Sequence, residues 1–339
     1  MRPTQRPAAR FAVLALRSAT RACNSSSADN SYLSSRSPEW ARRVLLDARG
    51  LLRQACKPDA NRSPALIGEP SAGCPGPRAC GILPRMGIVI KNALELAKMR
   101  RAGAIARAVL DAVEAACVPG TTTAELERIA AREMARLGAT SAFLGYNPGN
   151  SPPYPAVLCT SINDVVVHGI PSPRDVLREG DIIGIDFACY RDGYCADAAR
   201  TLAVGVISAP ARDLLDATRE ALAQAIAACG PGRRLGDIGA AIESLAARGG
   251  YGLVRDFVGH GVGRRMHEDP QVPNYGKPGT GRRLKPGMTI AIEPMFTLGG
   301  GAVRLLDDRW SVVTADASLA SHIEHTVAVT DHGAEILAG

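Results

Sequence analysis

The chain has 339 residues, of which 46% are hydrophobic, 22% are charged and 4% are aromatic. This composition is typical of a folded α/β or α+β protein that can bury a sizeable core. The net charge of +7 is unevenly placed, because residues 1–85 carry 14 Lys or Arg against 5 Asp or Glu, whereas residues 86–339 carry 26 against 28. The larger part is therefore close to neutral and gives no support to DNA binding. No apolar run reaches the roughly 20 residues that a membrane-spanning helix needs.

The N-terminal segment 1–85 is rich in Arg, Ser, Ala and Pro, a composition that does not support a packed core. Within it, only residues 40–52 show the spacing of an amphipathic helix. Three interpretations compete: an organellar transit peptide for a mitochondrion or plastid, a basic tail that contacts a polyanion such as the ribosome, or an upstream extension of a protein that starts at Met86. Without a transit function, we predict a cytoplasmic protein.

Five of the nine cysteines lie after residue 86, and none of them has the CxxC spacing of a thiolate zinc site. Their odd number and scattered positions argue against a disulfide framework. A reducing compartment fits this cysteine usage best.

Two pairs of helices are predicted from apolar spacing and turn signals. The first pair covers 93–116 and 122–137, with Thr122 and Glu125 as a capping box at the start of the second helix. The second pair covers 212–228 and 238–247 and ends at Gly249-Gly250. The segment 115–120 matches 227–232 closely, and strands follow each pair. We interpret this repetition as an internal duplication, in which two α/β halves contribute strands to a common sheet.

The strongest local signal is the segment 181–206, where two β-rich runs flank Arg191-Asp192-Gly193. An Asp-Gly turn between such runs predicts a β-hairpin. A turn centred near residue 192 would place Asp186 almost directly opposite Asp197. Two carboxylates that face each other in apolar surroundings require a shared proton or a bound cation. The alternative is that the two aspartates lie on opposite faces or at a frayed strand end.

Three further fragments carry candidate ligands, each ambiguous alone. His260 lies in Gly259-His260-Gly261-Val262-Gly263, where glycines permit a close approach of the backbone, although a lone histidine is more often structural. Glu293 follows a predicted strand over Thr289–Ile292, and Glu324 precedes a β-rich run at 327–329. Either glutamate could simply be solvated at a strand edge. Oxygen-rich ligation with one imidazole suits Mn, Fe, Co or Zn in hydrolytic sites with paired metals.

The order and spacing of these fragments are specific. Along the chain lie Val167-His168-Gly169-Ile170-Pro171, the pair Asp186 and Asp197, GHGVG followed by His267, Ile292-Glu293-Pro294-Met295, and Glu324-His325-Thr326. Over essentially all of residues 86–339 the sequence resembles methionine aminopeptidase of type I, since the short stretch between His267 and Glu293 leaves no room for the helical insertion of the type II enzymes. The resemblance implies the pita-bread fold, an α+β architecture of two pseudo-symmetric halves around a curved antiparallel sheet. It also implies a single catalytic metallopeptidase domain over 86–339.

The resemblance implies a role for each matching residue. Two divalent ions, of Co, Mn, Fe or Zn, would be held by five ligands: Asp186 on one metal, Asp197 and Glu324 as bridges, and His260 and Glu293 on the other. A metal-activated hydroxide would attack the first peptide bond, with Glu293 as proton shuttle. His267 would stabilise the oxyanion and His168 would contact the scissile amide. The alternative for His168 is a packed structural histidine.

A methionine pocket beside the metals is also implied. Aromatic rings and sulfur-containing side chains suit a thioether, and the matching residues are Phe143, Tyr146, Tyr154, Cys159, Met266 and Trp310. The sequence departs from the family pattern at four places: Ala198-Ala199, Ala188, Met266 and the long 147–153 segment. None of these departures removes a ligand, but changes around metal ligands alter metal affinity about 10–100-fold.

The implied function is removal of the initiator methionine from nascent chains that have a small second residue. The implied partners are nascent polypeptide N-termini and, transiently, the ribosome, with no DNA or membrane, and the protein would be a monomer. One alternative is a proline-directed aminopeptidase or dipeptidase of the same fold. The other is a non-catalytic, translation-associated binding module.

Overall fold

A long antiparallel hairpin carries the two aspartates. The structure, a computed structural model, describes residues 87–149 and 151–339, and in it β4 (Ile182–Arg191) pairs with β5 (Tyr194–Ala203). Asp192 and Gly193 form the turn with φ angles of 52° and 76°, as in a two-residue type I′ turn. The predicted hairpin is therefore confirmed.

The predicted register of this hairpin is wrong. Because the turn consists of Asp192-Gly193, the first pair is Arg191 with Tyr194, and Asp186 lies opposite Ala199 while Asp197 lies opposite Ala188. The aspartates are thus diagonal neighbours, two positions apart on the ladder, instead of a direct pair. They still share one face of the sheet, because side chains alternate with a period of two.

Four helices are present in the described part of the chain: α1 (Ala93–Glu114), α2 (Thr123–Arg136), α3 (Ala209–Ala227) and α4 (Leu235–Gly249). None of these four is both long and apolar enough to cross a bilayer. The predicted capping box opens α2, where the Thr122 hydroxyl accepts from the backbone N–H of Glu125 and the Glu125 carboxylate accepts from that of Thr122. The helix α3 begins three residues earlier than predicted, since Ser208 caps it and a proline is well suited to a first turn. The predicted helix over 40–52 lies outside the described residues.

Within residues 87–149 and 151–339, the antiparallel strands form one large sheet and two small ones. Besides β4 and β5, the strands are β1 (Thr140–Ser141), β2 (Cys159–Ile162), β3 (Val165–Val167), β6 (Gly252–Leu253), β7 (Gly259–Gly261), β8 (Glu268–Val272), β9 (Thr289–Ile292), β10 (Met295–Thr297), β11 (Val303–Leu305), β12 (Val312–Thr314), β13 (Ala320–His322), β14 (Glu324–Thr330) and β15 (Gly333–Ala338). In the nine-stranded sheet the order is β1-β4-β5-β14-β9-β7-β8, with β2 beside β4 and β15 beside β14. The small sheets have the orders β13-β10-β6 and β11-β12-β3.

Two apolar cores lie between the helices and the large sheet. In the first half, Val109 and Leu126 of α1 and α2 pack with Ile183 of β4. In the second half, Leu214 and Ile242 of α3 and α4 pack in one cluster with strands β9 and β14. The helix α4 begins at Leu235 and α2 at Thr123, which reproduces the repeat spacing found in the sequence. These paired halves, each a helix pair on strands of a shared curved sheet, form the predicted α+β architecture.

Candidate metal centre and substrate cavity

One cavity of about 1270 Å³ brings together the site residues that the sequence predicted. The five candidate ligands, the two accessory histidines and the six candidate pocket residues all contribute to its lining. These groups come from five different strands and from the loops between them. The cavity therefore contains a polar floor, made by the candidate ligands, and an apolar wall, made by the candidate pocket residues.

The floor is built across three neighbouring strands. On β5, Ala199 lies between Asp186 of β4 on one side and Glu324 of β14 on the other, and Asp197 lies two residues along. The side chain of Ala199 is a single methyl group, which leaves the space between the carboxylates open. Ala198 instead belongs to the first-half core, so of these two alanines only Ala199 lies among the carboxylates.

The backbone of Asp197 is fixed by Thr326 of β14. The Thr326 hydroxyl donates to the carbonyl of Asp197 at 2.8 Å and accepts from its N–H at 3.2 Å. Because both backbone groups are satisfied by one buried side chain, the Asp197 carboxylate is held in place beside β14. This contact was not predicted, although Thr326 belongs to a quoted motif.

The second half contributes His260 of β7 and Glu293, which lies between β9 and β10. Nε2 of His260 is 3.9 Å from Asp197 Oδ2 and 3.8 Å from Glu293 Oε1. Nδ1 of His260 is 3.0 Å from the carbonyl of Gly261, so Nδ1 is the donor and the Nε2 lone pair faces the carboxylates. Burial lowers the pKa of His260 and favours this neutral form.

The ligand atoms of Asp197, His260 and Glu324 lie within 4.8 Å of one another. One buried oxygen on each of Asp186, Asp197 and Glu324 has no hydrogen-bond partner in the described part of the chain. Unpaired buried carboxylate oxygens are costly, and a divalent cation would satisfy them. The donor set of carboxylates with one imidazole therefore fits a divalent metal.

Electrostatics point to the same requirement. Burial raises the pKa of Asp197 to about 7 and, together with the charge of Asp197, that of Glu293 to about 8. Burial and the neighbouring carboxylates also hold the pKa values of Asp186 and Glu324 well above their usual range. These carboxyl groups repel one another when charged, and a cation between them would reverse this effect.

The two accessory histidines meet different neighbours. The His267 ring is 4.2 Å from that of His260 between centroids, and its Nδ1 is 2.8 Å from the Tyr146 hydroxyl. His168 has a φ of 61°, which is uncommon for a non-glycine residue, and its ring meets Trp310 edge to face at 6.1 Å. Burial lowers the pKa of His168 to about 4, so it is a neutral donor or acceptor.

The apolar wall is a compact aromatic cluster. The Tyr154 ring meets Trp310 at 5.2 Å and Phe143 at 6.2 Å, both edge to face. The Tyr154 hydroxyl donates to the carbonyl of Gly169 at 2.9 Å, and the Trp310 indole N–H donates to the carbonyl of Pro152 at 2.9 Å. Cys159 and Met266 belong to the same buried cluster. The Tyr154 hydroxyl and the Trp310 indole N–H are thus both paired with backbone carbonyls.

Two buried features near the floor were missed from the sequence. Lys91 forms a 2.7 Å ion pair with Glu268, the residue after His267, and no sequence signal connects residues so far apart. His322 is 5% exposed and lines the cavity. Its position two residues before Glu324 could have indicated it, because alternate residues of an extended chain share a face.

Comparisons with known proteins agree with this geometry. Residues 97–331 match metallopeptidase family M24. The chain is 48% identical over 251 residues to methionine aminopeptidase B of Synechocystis sp., covering 74% of this chain and 92% of that protein. It is 42% identical over 253 residues to methionine aminopeptidase of Escherichia coli, covering 74% and 94%.

Solved structures give the same result for the fold. A methionine aminopeptidase from Thermotoga maritima aligns with a TM-score of 0.72 at 42% identity, covering 74% of this chain and 99% of that one. Prolidase from Pyrococcus furiosus aligns with a TM-score of 0.58 at 24% identity, covering 74% of this chain and 65% of that one. This second likeness concerns the fold alone. The chain is therefore a family M24 metallopeptidase with the pita-bread fold. Within that family it belongs to the methionine aminopeptidases.

Proposed function

We propose that this protein removes the initiator methionine from nascent chains whose second residue is small. The observation that carries the proposal is that two surfaces share one cavity. The floor has buried carboxylate oxygens without hydrogen-bond partners among the described residues, and the aromatic wall has its buried polar atoms hydrogen-bonded. The floor is suited to metal-assisted hydrolysis, and the wall is suited to a thioether side chain. The identity of 42–48% to several methionine aminopeptidases supports the same activity.

The proposed ligand set comprises Asp186, Asp197, His260, Glu293 and Glu324, and it would hold two divalent ions. Asp186 would bind one ion and His260 with Glu293 the other, while Asp197 and Glu324 would bridge them. The mutual proximity of the Asp197, His260 and Glu324 ligand atoms, all within 4.8 Å of one another, supports a shared site. Bound divalent ions would supply the Lewis acidity that makes hydroxide available near neutral pH.

The remaining groups would handle the substrate and its protons. Glu293 would take the proton released from water and deliver it to the amine nitrogen as the first peptide bond breaks. His267 would donate to the carbonyl oxygen as negative charge develops on it, and His168 would contact the scissile amide. The hydrogen bond from Tyr146 to His267, with the hydroxyl as donor, would leave Nε2 of His267 as the nitrogen that carries hydrogen.

The apolar wall would bind the methionine side chain. Tyr154 and Trp310 would enclose the thioether, with Phe143, Cys159 and Met266 completing the pocket. Burial raises the pKa of the Cys159 thiol well above its usual range, so the sulfur is a neutral, polarisable contact surface. Tyr146 would line the entrance beside His267.

The activity is tested by comparing two peptides on the metal-loaded enzyme. We expect Met-Ala-Ser to be cleaved much faster than Ala-Pro-Ala, because the wall accommodates a linear apolar side chain. Faster cleavage of Ala-Pro-Ala would contradict the methionine assignment and support a proline-directed enzyme. No hydrolysis of either peptide, combined with failure to bind a divalent metal, would support a binding module.

We further propose that the enzyme is a cytoplasmic monomer that acts on nascent N-termini and contacts the ribosome transiently. The basic composition of residues 1–85 supports the last point. Deletion of residues 1–85 is expected to weaken co-sedimentation with ribosomes without changing peptide turnover. Unchanged co-sedimentation would show that this segment does not contribute to ribosome contact.

A further inference from the structure

The imidazole of His322 lines the cavity beside the floor, and none of the proposed ligand and substrate roles explains its position. Its side chain is 5% exposed and lines the cavity. Its Nε2 atom has no hydrogen-bond partner in the described part of the chain. A buried, unpaired ring nitrogen that faces a site is costly unless the site itself satisfies it.

The backbone fixes His322 from two sides. Within the small sheet it pairs with Met295 of β10, two residues after Glu293. On the other side, the Thr201 hydroxyl donates to the carbonyl of His322 at 2.6 Å and accepts from its N–H at 3.0 Å. Since Thr201 lies on β5, the strand that carries Asp197, the position of His322 is tied to both halves of the floor.

The side chain of His322 reaches toward the carboxylate of Glu293. Nε2 of His322 is 3.7 Å from Glu293 Oε2, while the other oxygen, Oε1, is 3.8 Å from Nε2 of His260. The Glu293 carboxylate therefore lies between two imidazoles. The backbone of Glu293 is held separately, because the Asn274 side-chain amide donates to its carbonyl at 2.9 Å.

We propose that His322 is a positioning residue for Glu293. The Nε2–H group of His322 donates to Oε2 of Glu293 and thereby directs Oε1 of Glu293 toward the other ligands of the floor. The separation of 3.7 Å is longer than a hydrogen bond, so the proposed contact requires a small side-chain rotation. Groups that hold a ligating carboxylate from outside typically change metal affinity about 10–100-fold. The proposal rests on the proposed role of Glu293 as a ligand.

A competing possibility is that His322 itself binds metal. Among the described residues, Glu293 is the carboxylate that comes within 4.0 Å of the His322 ring nitrogens, at 3.7 Å. The ring nitrogen of His322 lies next to the far oxygen of Glu293, the one turned away from His260. The geometry therefore favours an outer, orienting contact over direct ligation.

The test measures Co²⁺ binding to the metal-free full-length protein by calorimetry and visible absorption. His322→Leu keeps a similar volume but removes the donor, whereas His322→Gln retains an amide N–H. We expect the leucine variant to bind one of two Co²⁺ equivalents about 10-fold more weakly and the glutamine variant to recover most of this loss. His332→Ala, at an exposed histidine outside the cavity, is the matched control. His322→Met serves the same comparison if the leucine variant fails to fold.

A double-mutant comparison separates positioning from a general structural role. In a Glu293→Gln background, His322→Leu should cause no further loss of Co²⁺ affinity, because its partner has already been changed. Equal losses in both backgrounds, or wild-type binding by His322→Leu, would overturn the proposal. Loss in His322→Gln equal to that in His322→Leu, with a changed Co²⁺ spectrum, would also overturn it by making His322 a ligand. Wild-type binding by Glu293→Gln would instead overturn the ligand set on which the proposal rests.

Discussion

The floor and the wall of the cavity are opposites in how their polar atoms are satisfied. On the floor, Asp186, Asp197 and Glu324 each leave a buried oxygen without a partner among the described residues. On the wall, the polar atoms of Tyr154 and Trp310 are both paired with backbone carbonyls. The floor is therefore incomplete without a cation, whereas the wall is complete as a protein surface. Chemistry should depend on the floor, and substrate choice should depend on the wall.

The largest expected effect comes from changing the centre of the floor. Asp197→Asn removes a carboxylate from the group of three mutually close donors, and we expect kcat/KM for Met-Ala-Ser to fall at least about 100-fold. Bound metal, measured by elemental analysis, should fall with it. Asp331→Asn, at an exposed aspartate, is the control. Full turnover with two bound metals would show that Asp197 does not bridge.

A change in the wall should have a smaller and different effect. Trp310→Ala removes an aromatic contact to the proposed thioether, and loss of one such apolar contact of roughly 1.5–3 kcal/mol corresponds to about 10–150-fold in kcat/KM. The loss should appear mainly in KM, with bound metal unchanged. Trp310→Phe, which retains a ring, should lose less. A fall in metal content with unchanged KM would break the distinction between wall and floor.

The smallest expected effect is on the stability of the folded protein. The buried carboxyl groups should make this stability depend on pH in the metal-free protein and not in the metal-loaded protein. The raised pKa values of Asp197 and Glu293, about 7 and 8, mean that the folded chain binds protons which the unfolded chain has released. These two groups stabilise the folded chain fully below about pH 4, which is near the pKa of a carboxyl group in an unfolded chain. Their contribution to the free energy of unfolding is lost as pH rises toward 8. The lowered histidine pKa values act in the opposite direction only below about pH 6.5.

The clearest window is therefore pH 6.5 to 8.5. Across it, the unfolding temperature of the metal-free protein should fall, while that of the metal-loaded protein should stay nearly constant. The measurement is thermal unfolding at each pH with and without Co²⁺. A metal-free protein whose stability rises over this window would contradict the raised pKa values.

The sequence was informative where the structure depends on local residues. The Asp192-Gly193 turn, the capping box at Thr122 and the glycine stop after α4 were all predictable, because each depends on a few adjacent residues. The predicted hairpin register differs from the observed one by two residues, because the turn was centred near residue 192 and not between Asp192 and Gly193. The repeat between the halves was visible because its helices and turns recur at a fixed offset.

Contacts between distant residues were not predictable from the sequence. Thr326 clamps Asp197 across 129 residues, and Lys91 reaches Glu268 across 177. Such pairs depend on how strands β5 and β14 and the segment before α1 come together in the fold. The family pattern joined the five candidate ligands and did not include His322, whose unpaired ring nitrogen became visible only in the structure.

The carboxylate floor is proposed to hold two metal ions, and a metal titration measures this occupancy. Metal-free protein should bind two equivalents of Co²⁺ per chain, and Asp197→Asn should bind fewer. Binding should also restore Met-Ala-Ser hydrolysis. Failure to bind any divalent ion with the floor intact, or equal binding by the Asp197→Asn variant, would contradict the claim.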